Sequence, residues 1–132
     1  MTYLLDTNTC IRYLNGQSDS IRQRFAEISP REMALCSIVK AELYYGSLKS
    51  ENPERNLGRL SRFFAGFVSL PFDDSAARTY GAIRSTLERS GRLVGPNDLL
   101  IAAIALANDA TLVTHNVREF SRIDDLRHED WE

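Results

Sequence analysis

Four oxygen-bearing side chains stand at the margins or in the midst of apolar stretches of this 132-residue chain: Asp6, Glu42, Asp98 and Asn116. Asp6 ends the run Tyr3-Leu4-Leu5, and Asn116 follows the run Ala110–Thr114. Glu42 interrupts an apolar helical pattern, and Asp98 stands at the head of a stretch without a charge. A carboxylate in apolar surroundings costs several kcal/mol, on the order of 2–5, unless it is paired or coordinated. Several carboxylates sharing one cleft repel one another until a cation neutralises them. Mg²⁺ suits such a set, because it takes one or two carboxylates directly and keeps waters for phosphate oxygens. The chemistry indicated is metal-assisted attack of water on a phosphodiester, with no nucleophilic side chain required.

The elements that must position these groups follow from the hydrophobic pattern. Tyr3–Leu5 is short and lacks polar alternation, which predicts a strand buried on both faces, and Thr7 and Asn8 open a helix on which Cys10, Ile11 and Leu14 recur. A second helix is expected over Ser20–Ile28, a second strand over Ala34–Cys36, and a helix over Ile38–Leu48 capped by Ser37. Projected on that helix, Ile38, Val39, Tyr45 and Gly46 make an apolar face with Glu42 at its middle. Pro53 opens a further helix carrying Arg55, Arg59 and Arg62 at i, i+4 and i+7, either a solvated face or part of an RNA-binding rim. Val68–Leu70 reads as a third strand, and Asp73 or Ser75 caps a long helix ended by Gly91. Gly95-Pro96-Asn97-Asp98 opens a helix whose stretch Leu99–Ala107 carries no charge on any side, which predicts that it is covered all round; Asp98 stands at its head, either as a plain cap or as a ligand.

Short apolar strands alternating with helices specify an α/β fold: a three-layer α/β/α arrangement with a central parallel sheet of four to five strands, the last from the tail near Trp131. Ligands bind such sheets at the carboxyl edge, where Asp6, Glu42, Asp98 and Asn116 all arrive. Glu119, three residues past Asn116, can supply a further charge there, and Thr7, Asn8 and Thr114 are placed to hydrogen-bond the acids and orient them. His115 adjoins the site with no evident partner in the sequence.

Composition bounds the class of protein. The length is that of one domain, residues 1–132, with 43% hydrophobic residues to build a core. Cys10 and Cys36 lie far apart and read as reduced core residues. No apolar stretch is long enough for a membrane span, so no membrane partner is expected and a cytoplasmic location is. Net charge is −2, but the last nine residues hold five acids against Arg127, leaving 13 acids and 15 bases in residues 1–123. Fourteen of the sixteen basic residues are arginine, whose planar fork suits phosphate.

The segments Leu4-Leu5-Asp6-Thr7-Asn8, Val39-Lys40-Ala41-Glu42-Leu43 with Gly46, Pro96-Asn97-Asp98-Leu99-Leu100-Ile101-Ala102 and Leu112-Val113-Thr114-His115-Asn116 with Glu119-Phe120 resemble the PIN-domain ribonucleases. The length and the closing Glu129-Asp130-Trp131 are similar to the VapC toxins within that family. The resemblance implies Mg²⁺ or Mn²⁺ held by Asp6, Glu42 and Asp98, with the family's fourth acid falling on Asn116. It also implies endonucleolytic cleavage of RNA, a homodimer, and inhibition in a hetero-oligomer by a cognate VapB antitoxin whose tail enters the acidic groove. Similarity to the enteric VapC toxins implies initiator tRNA, cut in the anticodon stem-loop, as substrate. Ile11, Leu14, Tyr44 and Tyr45 are either core or contacts for antitoxin or dimer. Asn116 departs from the aspartate common at that position, which keeps open a catalytically weak RNA- or protein-binding module of the same fold. An aspartyl-phosphate phosphatase would need a second acid at position 8, where Asn8 stands.

Overall fold

Five strands, β1 (Tyr3–Leu5), β2 (Met33–Cys36), β3 (Val68–Leu70), β4 (Thr111–Val113) and β5 (His128–Glu129), form one wholly parallel sheet in the order β3-β2-β1-β4-β5 in the computed structural model, which describes residues 1–132. The pattern of each strand matches its place. β2 and β4 are buried at every residue, as strands flanked on both sides must be, whereas edge strand β3 leaves Val68 59% exposed. Leu5 is in register with Val113, and the Asp6 N–H continues that ladder to the Val113 carbonyl at 3.1 Å.

Seven helices connect the strands: α1 (Thr7–Leu14), α2 (Asp19–Glu27), α3 (Ser37–Leu48), α4 (Pro53–Phe64), α5 (Asp74–Arg89), α6 (Pro96–Ala107) and α7 (Val117–Phe120). The chain steps from β1 to β2 to β3, then returns past β1 to β4, so right-handed crossovers place α1–α4 on one face and α5–α6 on the other. That is the expected three-layer α/β/α architecture, with the tail supplying β5 as fifth strand. The reversal makes the carboxyl edge between β1 and β4 a topological switch point, where an open sheet leaves a crevice.

Leu4, Leu5, Leu35, Ile101, Ile104, Leu112 and Phe120 form the centre of a 25-residue apolar cluster, with Cys10 and Cys36 buried in it as free thiols. α6 is the most deeply packed helix, its residues Ile101 through Ala105 all buried, as its lack of charge predicts. No helix is long and apolar enough to cross a membrane.

Several boundaries differ from expectation for local reasons. α2 starts at Asp19, one residue before the expected Ser20, because Ser18 caps it by accepting the Ile21 N–H, while α5 is capped as expected by Asp73, which accepts the Ala76 N–H. Ser37 is the first residue of α3 rather than its cap, which falls on Cys36 with no side-chain bond. Asp98 likewise is no cap. Pro96 starts α6, as the Gly95-Pro96-Asn97-Asp98 opening predicts, its fixed φ suiting the first helical position, and the cap is Gly95.

Candidate active site

Asp6 is the residue on which β1 becomes α1. Its Oδ1 accepts the Thr9 N–H at 2.9 Å, so it caps the helix, yet it is only 6% exposed. Burial raises its pKa above the ordinary carboxylate value; hydrogen bonds from Thr114 and Thr9 pull the other way, and the nearby Glu42 charge adds to the rise. The Thr9 hydroxyl also donates to the Val113 carbonyl at 3.3 Å, which ties the start of α1 to the end of β4.

Glu42 reaches the same edge from α3. The inward stripe of that helix is Val39, Leu43 and the half-buried Glu42, with Gly46 on the same face lining the open groove beside them, while Tyr45 is 66% exposed. The expected apolar face centred between Ile38 and Tyr45 is therefore rotated. Residues 39, 42 and 43 share a face by i, i+3, i+4 spacing, and Tyr45 falls outside it. Glu42 lies on the margin of the core, and its Oε1 accepts the Thr7 hydroxyl at 2.7 Å. One threonine thus bridges the element after β1 to the element after β2.

Asp98 occupies the first turn of α6, where the helix dipole favours an acid and where no capping bond consumes its oxygens. Its pKa is pushed up to about 6 by burial first, then by the charges of Glu119, Asp6 and Glu42, and by a hydrogen bond shared with Glu119. Glu119 moves the opposite way. The Gly95 N–H donates to its Oε1, the Asn116 amide donates to its Oε2 at 3.1 Å, and Arg122 adds positive charge, so of the two carboxyls it is Asp98 that keeps its proton to the higher pH. A Cβ on Gly95 would stand 3.3 Å from Glu119 Oε1, so the close approach of that acid to the backbone is eased by glycine, whereas Asp98 Oδ2 at 3.8 Å would be in ordinary contact.

Asp6, Glu42, Asp98 and Glu119 thus act on one another electrostatically across the switch point. Asn116 joins them through its bond to Glu119, and its own N–H donates to the Thr114 hydroxyl at 3.0 Å. Asn8 is exposed and makes no side-chain bond to any of the acids. Crowded carboxylates, of which Asp6 and Asp98 have raised pKa values, fit a hard divalent cation, which supplies the charge they lack. No three of these acids bring ligand atoms within 4.8 Å of one another, so the set suits an ion that retains waters. The trio that is so close is His115, Asp130 and Glu132, exposed and beside the site: His115 Nδ1 lies 2.9 Å from Asp130 and 3.1 Å from Glu132. These are the partners its sequence context did not reveal.

A groove of about 240 Å³ leads from Glu42 between α1, α3 and α4, lined by Ile11, Leu14, Leu43, Leu60 and Arg59. Arg59 half-buries its stem there and donates to the Leu14 carbonyl, while Arg55 and Arg62 are exposed on the same helix. Thr9 and Gly95 are the site residues that sequence reasoning did not single out. Thr9 carried one signal, its place three residues after a strand-ending acid, where a cap is received.

The PIN domain family model matches residues 3–126. Ribonuclease VapC2 of Rickettsia felis is 41% identical over 100% of this chain and 99% of its own. The tRNA(fMet)-specific endonuclease VapC of Shigella flexneri is 41% identical over 99% of this chain and 98% of its own. The crystal structure of DNA-bound VapBC from Salmonella typhimurium contains a chain that superposes with a TM-score of 0.94 at 42% identity, covering 100% of this chain and 99% of that one. With its acids gathered at the switch point of a five-stranded parallel sheet, this chain belongs to the PIN-domain family, among the VapC ribonucleases.

Proposed function

We propose that this protein, a single domain over residues 1–132, is the toxin of a type II toxin–antitoxin pair and acts as a Mg²⁺-dependent endoribonuclease on tRNA. The observation that carries the reading is the mutual crowding of Asp6, Glu42, Asp98 and Glu119, which raises Asp98 to about 6 and leaves the cleft short of positive charge. Asp6, Asp98 and Glu42 are the residues that would hold the ion, with Asn116 and Glu119 as the fourth corner; Mn²⁺ has the same preference for oxygen and would substitute. When bound, the metal supplies charge to the scissile phosphodiester and acidifies a water.

The chain's own residues do the rest. Thr7 fixes the Glu42 carboxylate, and Thr9 and Thr114 fix Asp6. Asn116 and the Gly95 N–H hold Glu119 ionised beside Asp98. Arg55, Arg59 and Arg62 would meet phosphates on the α4 side. The relatives named tRNA(fMet)-specific endonuclease support initiator tRNA as the substrate here; a cut in its anticodon stem-loop is the part of the reading that rests on the family resemblance alone. The complexes in which homologous chains occur support a VapB-type antitoxin as partner, and the apolar groove ending at Glu42 suits a segment of it. Exposed Tyr44, Tyr45 and Leu48 offer apolar surface for that partner or for a homodimer.

Purified, antitoxin-free protein incubated with total tRNA tests the reading. Discrete fragments are expected with Mg²⁺ or Mn²⁺, carrying 5′-phosphate and 3′-hydroxyl ends, and none with EDTA or with Asp98→Asn. Cyclic-phosphate ends would mean attack by the 2′-hydroxyl and would refute the metal-water mechanism. Equal inertness of wild type and variant in both metals, with RNA still bound, would leave a binding module.

A further inference from the structure

The loop from Gly91 to Gly95 and the turn after α7 are joined by two arginine side chains. Arg92 Nη1 donates to the Arg122 carbonyl at 3.3 Å, and Arg122 Nη1 donates to the Leu93 carbonyl at 2.5 Å. Two residues beyond Leu93, the Gly95 N–H holds Glu119, so both guanidinium groups are anchored a few residues from the acids of the cleft. Each is oriented by a neutral carbonyl rather than by a carboxylate, although Arg122 lies near enough to Glu119 to help lower its pKa. By contrast Arg12, Arg24, Arg84 and Arg127 all form ion pairs with carboxylates. Arg92 and Arg122 form none, although Asp124 and Asp125 line the same depression of about 350 Å³.

Two like charges fixed in one depression, each with several unused N–H donors, match an anion with several oxygens and planar, two-point geometry. We propose that Arg92 and Arg122 bind a backbone phosphate of the RNA next to the scissile one, on the flank of the cleft away from α4. The inference rests on the nuclease reading and deepens it: the strand would cross the acids with arginines on both banks, α4 on one side and this pair on the other. The carbonyl bonds have a purpose under this assignment. They hold long side chains in place before the strand arrives, which lessens the ordering cost of binding.

The test separates phosphate binding from loop bracing by salt dependence. Asp98→Asn protein, which keeps substrate uncut, is titrated with unfractionated tRNA in EDTA over a series of KCl concentrations. An arginine that neutralises one phosphate contributes about 0.7 to 0.9 to the slope of log K against log salt. The double variant Arg92→Gln/Arg122→Gln is expected to flatten the slope by that amount, and each single glutamine variant by a part of it. Arg122→Lys should restore it, and Arg31→Gln, at the opposite edge of the sheet before β2, should leave it unchanged. Unaltered slopes in both glutamine variants, with only a lower unfolding temperature, would make the pair a brace and overturn the proposal. If the Asp98→Asn protein with every arginine intact binds no tRNA, the nuclease reading itself falls, and the pair's assignment with it.

Discussion

Carboxylates gather in two places in this molecule, and the two gatherings behave oppositely. In the tail, Glu129 pairs with Arg24 at 3.0 Å and accepts the Trp131 indole N–H at 3.1 Å, Glu132 pairs with Arg12, and His115 sits between Asp130 and Glu132. Trp131 is buried against Tyr3 and Phe25, with Arg24 over its ring and the Ser20 hydroxyl on its carbonyl. Each of these three acids has a cationic or donor partner. In the cleft the acids face each other, and the donors that reach them are threonine hydroxyls, an asparagine amide and the backbone N–H groups of Thr9 and Gly95. Glu119, the one acid with an arginine near it, is also the one whose pKa is lowered. The same residue type thus serves cohesion where its charge is answered, and where it is not it is left free for the chemistry proposed above.

The contrast is broken most severely by neutralising a cleft acid while keeping its shape. Asp6→Asn retains a good N-cap, so the fold should survive with little loss, while cleavage should fall by a factor of about 10³ or more, some 4 kcal/mol of transition-state stabilisation. Circular dichroism and a tRNA cleavage rate measured together check it. In the tail the same logic reverses: Trp131→Ala should cost about 3–5 kcal/mol of stability, read from the urea midpoint, because a large side chain only 4% exposed leaves a cavity.

The smallest effect has the most distinctive sign. Asp98 holds its proton to about pH 6 when folded and to about 3.8 in its ordinary state, so the folded protein binds more protons between those values. Metal-free wild type should therefore be most favoured by this group below pH 4 and lose that contribution as pH rises through 6. After allowance for solvent screening, Asp98→Asn should stabilise the metal-free protein at pH 7 by about 1 kcal/mol, a rise of roughly 3–5 °C in Tm. The variant should also gain less than wild type from added Mg²⁺. A thermal melt at pH 5 and pH 7, with and without the ion, decides it, and a destabilised variant at pH 7 would contradict the crowding described here.

Much of this is legible in the chain because the signals are local. A three-residue apolar run ending at Asp6, and a helix without a charge from Leu99 to Ala107, fix a central strand and a covered helix by pattern alone. The convergence of Asp6, Glu42, Asp98 and Asn116 follows from topology, since parallel crossovers bring strand ends to one edge. What stays hidden depends on partners distant in sequence. His115 finds Asp130 and Glu132 only because β5 lies beside β4, and Gly95 finds Glu119 only because α7 folds back on α6. The face of α3 is misread from residue types because Tyr45 looks like core and is held out in solvent by its position on the helix.

The return of the chain past its own first strand has a consequence for biosynthesis. Asp6 leaves the ribosome early, yet β1 gains its second neighbour only when Val113 reaches Leu5, and Glu119 follows later still. Strand pairings between such remote segments form late, after the loop between them has closed. A nascent chain cut short anywhere before residue 111 has neither β4 nor the residues that follow it, so such fragments should be unable to damage the machinery that makes them.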